Sequence, residues 1–155
     1  MEYVVTVVRV KPEPIAAVRR RMAARDIPAG CKEAMDKVWA FLGRHPELRA
    51  GGHDVFLYQH DMDAAGAMTI DFGVQAAQPF APEGEVFCAV TPEGEAATLI
   101  HRGPYNGLPA AHAATHAWLA KSGRKDGGWS WEIYGEWSED PAKLETQVLY
   151  LLQRN

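Results

Sequence analysis

The strongest constraint on how this chain can fold is internal: its second half repeats its first. Gly51-Gly52-His53-Asp54-Val55-Phe56-Leu57-Tyr58 aligns without a gap on Gly127-Gly128-Trp129-Ser130-Trp131-Glu132-Ile133-Tyr134, so Glu132 stands opposite Phe56 and Tyr134 opposite Tyr58. Upstream, Ala40-Phe41-Leu42 and Ala117-Trp118-Leu119 occupy matching places once one residue of gap is allowed, and Ala16-Ala17 matches Ala96-Ala97. Pseudo-repeats over residues 3–77 and 85–153, joined by the Pro- and Gly-containing stretch 78–84, are expected to build one domain over residues 1–155.

The local pattern within each repeat is the same. Residues 3–10 and 15–22 are rich in β-branched side chains and are separated by Lys-Pro-Glu-Pro, which reads as strand, turn, strand. From 29 to 45, Cys31, Met35, Val38 and Leu42 recur at helical spacing, and the pattern stops before Pro46 and the Gly51-Gly52 pair. Strands over 54–60 and 68–76 follow. The second copy gives strands at 85–90 and 96–102 and a helix with Asn106 as candidate N-cap, Leu108, Ala111, Thr115, Trp118 and Leu119 as apolar face and Gly123 as stop. Strands at 129–137 and 144–152 complete it. The fold class is therefore α+β: a duplicated strand-strand-helix-strand-strand module, whose antiparallel sheet carries helices on one face and a cleft on the other.

Composition narrows the function. With 47% hydrophobic and 23% charged residues, the chain has the make-up of a soluble globular protein, and no apolar run approaches the length needed to span a bilayer. Its N-terminus opens on a strand pattern rather than a signal peptide, and Cys31 and Cys88 lack CxxC spacing, so a cytoplasmic protein with reduced thiols is expected. Residues 61–155 carry six basic and thirteen acidic side chains, a balance that repels a phosphate backbone and argues against nucleic acid as partner. The one basic cluster, Arg19-Arg20-Arg21, reads as a solvated strand edge.

The chemistry-bearing residues gather in the repeated segment. Alternation along a strand puts Glu132, Tyr134 and Glu136 on one side and Trp131 and Ile133 on the other. With Trp131 and Ile133 taken as core-facing, Glu132 and Tyr134 look into the cleft, joined by Phe56 and Tyr58 from the other repeat, with His60 as a further candidate. Trp39, Phe72, Tyr105 and Trp137 are placed by position among the lining rings. A carboxylate among rings loses hydration, which raises its pKa unless a cation or a tyrosine hydroxyl compensates. Either it anchors a flat or cationic molecule, or Glu132 acts as a general base with Tyr134 or Tyr105 donating to the developing oxygen. The competing reading makes Glu132 a solvated residue on an outer sheet face. His112 and His116 are four apart on a helix, but no third ligand is spaced for a metal and no cofactor motif is present, so neither is expected. His112 is assigned to the flank of the helix packing surface and His116 to water.

His101-Arg102-Gly103-Pro104-Tyr105, then Trp118-Leu119, Trp131-Glu132-Ile133-Tyr134 and the strand from Thr146 to Leu152 resemble the GyrI-like superfamily, the small-molecule-binding domain also found as the effector domain of AraC- and MerR-type multidrug regulators. The resemblance spans residues 3–153. It implies a duplicated α+β module whose cleft takes up hydrophobic, often cationic compounds on a glutamate matched here by Glu132. It also brings in free-standing members that resemble hydrolases of toxic electrophiles, and others that protect DNA gyrase through a protein contact. No DNA-binding helical segment precedes residue 3, so action as such a regulator by itself is not expected. A kinship with haem-binding SOUL proteins would place His101 or His60 as axial ligand.

Overall fold

The computed structural model describes residues 2–154 and contains one eight-stranded antiparallel sheet and two long helices. In chain order these are β1 (Thr6–Val10), β2 (Pro14–Ala23), α1 (Ile27–Arg44), β3 (Arg49–Gln59), β4 (Ala67–Ala76), β5 (Val86–Val90), β6 (Gly94–Arg102), α2 (Leu108–Ser122), β7 (Asp126–Tyr134) and β8 (Glu145–Leu152). The expected element order and α+β class are borne out. Helix α1 has Pro28 in its first turn, where the missing N–H costs nothing, and ends where the His45 amide reaches back to Phe41 and Leu42 before Pro46. Helix α2 ends as expected on left-handed Gly123, but its start differs. A single 3-10 turn, Tyr105–Gly107, precedes it, and Asn106 supplies no side-chain cap.

The strand order β1-β6-β8-β7-β3-β4-β2-β5 reads as two mirror-ordered halves meeting at β7 and β3. At that seam Val55 pairs with Ile133, Phe56 with Glu132 and Leu57 with Trp131. Aligned residues of the two copies thus exchange places about the Phe56–Glu132 pair, which sits on a pseudo-two-fold axis. The first strand of each half lies against the other half: β1 pairs with β6 and β5 with β2. Both halves also slip register at the same point, between Arg49 and Asp54 and between Asp126 and Ser130. The Gly-Gly pairs lie in these bulges, where Gly51 (φ 72°) and Gly128 (φ 94°) take up backbone that L-residues rarely adopt. One sequence equivalence shifts: Ala16 pairs with Val74 whereas Ala97 pairs with Tyr150, so the partner of Ala16 in the second copy is Ala97, not Ala96.

Both helices pack on one face of the sheet, α1 over Ala16, Val18, Ile70 and Phe72 and α2 over Ala97, Leu99, Val148 and Tyr150. The opposite face holds a cluster of strand residues alone, including Ile15, Val55, Leu57, Trp131 and Leu149. Trp131 therefore faces a core as expected, but the core beneath the helices lies on the side of Phe56, Tyr58, Glu132 and Tyr134. The cleft consequently opens on the same face as the helices, in the gap they leave over β3 and β7, and not on the far face as the sequence had suggested. The arginine run lies on a strand edge as expected, since β5 pairs with β2 only from Pro14 to Val18 and leaves Arg19–Arg21 with β4 alone, but the side chains are ion-paired rather than simply solvated. Arg19 binds Asp71 in fork geometry at 2.7 and 3.0 Å, Arg20 joins Glu33 and Glu85, and Arg21 joins Asp61 and Asp63.

Candidate functional site

Between the helices lies a cavity of about 1140 Å³, floored by β3, β7 and β8 and walled by the first turns of α1 and α2. Its lining is largely apolar, with four acidic residues, Asp54, Asp126, Glu132 and Glu136, and no Lys or Arg among the described residues.

Glu132 occupies the floor. It is 4% exposed, yet its carboxylate is not isolated. Tyr58 and Tyr134, which the repeat makes equivalent, each donate a hydroxyl to Oε1 at 2.6 Å, one from each half. The ring Nε2 of His112 lies 2.7 Å from Oε2. Because a carboxylate only accepts, His112 Nε2 carries the hydrogen. In the neutral ring Nδ1 then accepts the hydroxyl hydrogen of Tyr150 at 2.6 Å, and the Tyr150 oxygen lies 3.3 Å from His116 Nε2. Hydrogen bonds thus run from α2 and β8 inward to Glu132. Burial pushes the Glu132 carboxyl up, but His112 and the two tyrosine hydroxyls outweigh it and hold the carboxyl below its ordinary range. The phenols respond in the opposite sense: burial, then the adjacent carboxylate charge, keeps Tyr58 and Tyr134 well above the usual tyrosine value. Asp54, half-buried at the cavity wall, has its carboxyl raised by desolvation.

Of the residues singled out in the sequence, Glu132, Tyr134, Phe56, Tyr58, Tyr105 and Trp137 line this cavity. Phe56 packs edge-on to both Phe72 and Tyr134, and Tyr105 packs edge-on to Tyr134 at the mouth. Trp137 is 71% exposed at the rim. Two do not line it. Phe72 is fully buried in the α1 core beneath Phe56, and Trp39 lies outside, beside a separate small hollow with Arg49 over its ring. His112 and His116, assigned to a packing flank and to water, both line the cavity. Glu132 is neither solvated nor raised in pKa. The haem reading meets occupied rings: His101 is bonded to the Tyr3 hydroxyl and the Pro104 carbonyl, and His60 to Asp126 and Ser130. Sequence reasoning placed His60 in the cleft but missed its grouping with Asp126 and Ser130, and it missed His112 and Tyr150. The available signal for His112 was its alignment with Met35 in the first helix, a position that faces the sheet.

Among solved structures the chain is similar to the C-terminal domain of EcmrR, with 18% identity, all of both chains covered and a TM-score of 0.78. It is also similar to SAV2435 bound to tetraphenylphosphonium, with 11% identity, 99% of this chain and 94% of that one covered and a TM-score of 0.71. A hydrolase encoded by lin2189 from Listeria innocua matches with 13% identity over 96% of this chain and 91% of its own, with a TM-score of 0.64. No curated protein matches in sequence. At these identities the likeness is one of fold. The model of the GyrI-like small molecule binding domain matches residues 3–151, and the chain belongs to that family.

Proposed function

We propose that the protein binds bulky aromatic or otherwise apolar organic cations in the inter-helix cavity, with Glu132 as the charged anchor. The observation that carries this reading is the lining itself, a mostly apolar surface that includes four acids and four histidines but no Lys or Arg. An anion would meet four carboxylates with no Lys or Arg to offset them, and a neutral guest would leave the floor carboxylate with His112 as its one ionisable donor. Phe56, Tyr58, Tyr134, Tyr105 and Trp137 supply ring faces and edges, and a desolvated cation over such a ring gains about 2 kcal/mol. The hydrogen bonds from Tyr58, Tyr134 and His112 hold Glu132 ionised before the ligand arrives, so that charging it is not part of the cost of binding. SAV2435, of the same fold, holds a cation of this shape.

Turnover with Glu132 as general base has less support. Its lowered pKa makes it a weak base, and Tyr134, the expected donor to a developing oxygen, already donates to Glu132. A protein-contact role of the gyrase-protecting kind would not call for a cavity of this size. The test is titration with tetraphenylphosphonium, followed by quenching of Trp137 at the rim. The wild-type protein should saturate, and Glu132→Gln, which keeps the shape and the acceptor for both tyrosines but removes the charge, should weaken binding about 30-fold. Equal affinity in the two proteins would refute the anchor.

A further inference from the structure

We propose that Ser130, His60 and Asp126 form a second, nucleophilic site in the same cavity, able to accept the acyl group of an apolar ester. This rests on the reading that the cavity admits apolar guests, but it is separate from the Glu132 anchor. His60 Nδ1 lies 2.5 Å from Asp126 Oδ2, and His60 Nε2 lies 2.8 Å from Ser130 Oγ. The chemistry of the groups settles the direction of both bonds. The Asp126 carboxylate only accepts, so Nδ1 carries the hydrogen. In the neutral ring Nε2 is then an acceptor, and the Ser130 hydroxyl donates to it. A hydroxyl donating to an imidazole whose other nitrogen is held by a carboxylate is the arrangement that activates serine for acyl transfer.

The support around the three residues is built in. Asp126 Oδ1 accepts the Gly128 amide at 2.6 Å, and the His60 amide bonds the Gly128 carbonyl at 2.9 Å. The β7 bulge therefore holds Asp126 and the end of β3 in one frame. Asp126, His60 and Ser130 all line the cavity, and the side chains of Asp126 and His60 are 39% and 22% exposed, open to solvent for the water of deacylation. Ser130 shares its sheet face with Glu132, so an ester would lie against the same rings that line the cation site.

The step balances without a further reagent. Ser130 Oγ bonds the carbonyl carbon while its proton passes to His60 Nε2. The bond to the leaving alcohol then breaks and takes that proton from His60. Water repeats the sequence in reverse, releasing the acid and restoring Ser130. Asp126 is a positioning residue, since it acts through the His60 ring. The amides of β7 around Ser130 belong to the ladders with β3 and β8, so the oxyanion needs a side-chain donor. Tyr150, the cross-strand partner of Ser130 on this face, brings that hydroxyl by turning it away from His112 Nδ1, to which it donates in the resting site.

The test is incubation of the full chain with an alkyl fluorophosphonate, read by intact mass and peptide mapping. Labelling forms the Ser130 Oγ–P bond, releases fluoride and sends the hydroxyl proton to His60. One adduct on Ser130 is expected, absent in Ser130→Ala and formed about a hundredfold more slowly in His60→Gln. Asp126→Asn should slow labelling about tenfold or more with an unchanged melting temperature, and Asp126→Glu should recover part of the rate. No adduct on protein that still binds tetraphenylphosphonium, an adduct on a tyrosine, or an equal rate in folded His60→Gln would overturn the proposal. Labelling of Ser130 in protein that does not bind tetraphenylphosphonium would sink the cation reading and leave this one standing.

Discussion

The two halves of the molecule use one backbone plan for opposite ends. In the first half, Phe56 on the axis strand, Val74 on the next strand and Met35 on the helix all belong to the α1 core. The seam register and the helix alignment put Glu132, Tyr150 and His112 at the same three positions of the second half, and there they form a continuous hydrogen-bonded chain. Tyr58 and Tyr134, the pair left alike in both copies, converge on the one carboxylate. Duplication supplies a symmetric hollow, and three substitutions give one of its sides a charge. A polar cluster of this kind survives burial because each donor has an acceptor, whereas the apolar trio opposite needs only shape.

The largest expected consequence of this division is in stability. Phe41 is 1% exposed in the α1 core, while its counterpart Trp118 is only partly buried against the core beneath α2. Phe41→Ala should cost about 3–5 kcal/mol in chemical denaturation. Trp118→Ala should cost less than half of that, and equal losses would deny that the first half carries the heavier core.

The sequence displayed much of this comparison and hid a specific part. Periods of two and of about 3.6 separated strands from helices, and the Gly-Gly match placed Phe56 against Glu132 before any pairing was known. Alternation tells which residues share a face, as with Glu132 and Tyr134, but not which face the helices cover, and so the cleft was put on the wrong side. The Arg19–Arg21 run read correctly as an edge, but its acidic partners lie far off in the chain, Glu33, Glu85, Asp61, Asp63 and Asp71, and so were not legible. His112 was obscured for a different reason. Four-residue spacing to His116 suggested metal or surface, and only its alignment with buried Met35 pointed inward. The Asp126–His60–Ser130 group joins the ends of two strands 66 residues apart in the chain, a separation that no local pattern encodes.

The next effects concern the shared tyrosines. Tyr58→Phe and Tyr134→Phe each remove one hydrogen bond to a charged acceptor, worth about 1.5–3 kcal/mol. By symmetry each should weaken tetraphenylphosphonium binding to a similar extent, and a large effect from one with none from the other would break the two-fold account. The dependence on pH is smaller and has a defined sign. The Glu132 pKa is lower in the folded protein than in the unfolded chain, so its contribution to stability is full above the ordinary glutamate range and is lost as pH falls toward the depressed value. Melting temperatures of the wild type and Glu132→Gln should therefore converge on acidification below that range, and parallel curves would contradict the sign. The smallest effect is expected at Trp39. Because it lies outside the cavity, Trp39→Phe should leave cation affinity unchanged within error in the same titration.

The central claim is that charge, more than shape, selects the guest of this cavity. Tetraphenylphosphonium and tetraphenylborate share size and ring arrangement and differ in sign, so calorimetric titration of the wild-type protein with each isolates the term. The account predicts that the cation binds at least about 30-fold more tightly, the factor that about 2 kcal/mol confers. Equal affinities, or tighter binding of the borate, would contradict it.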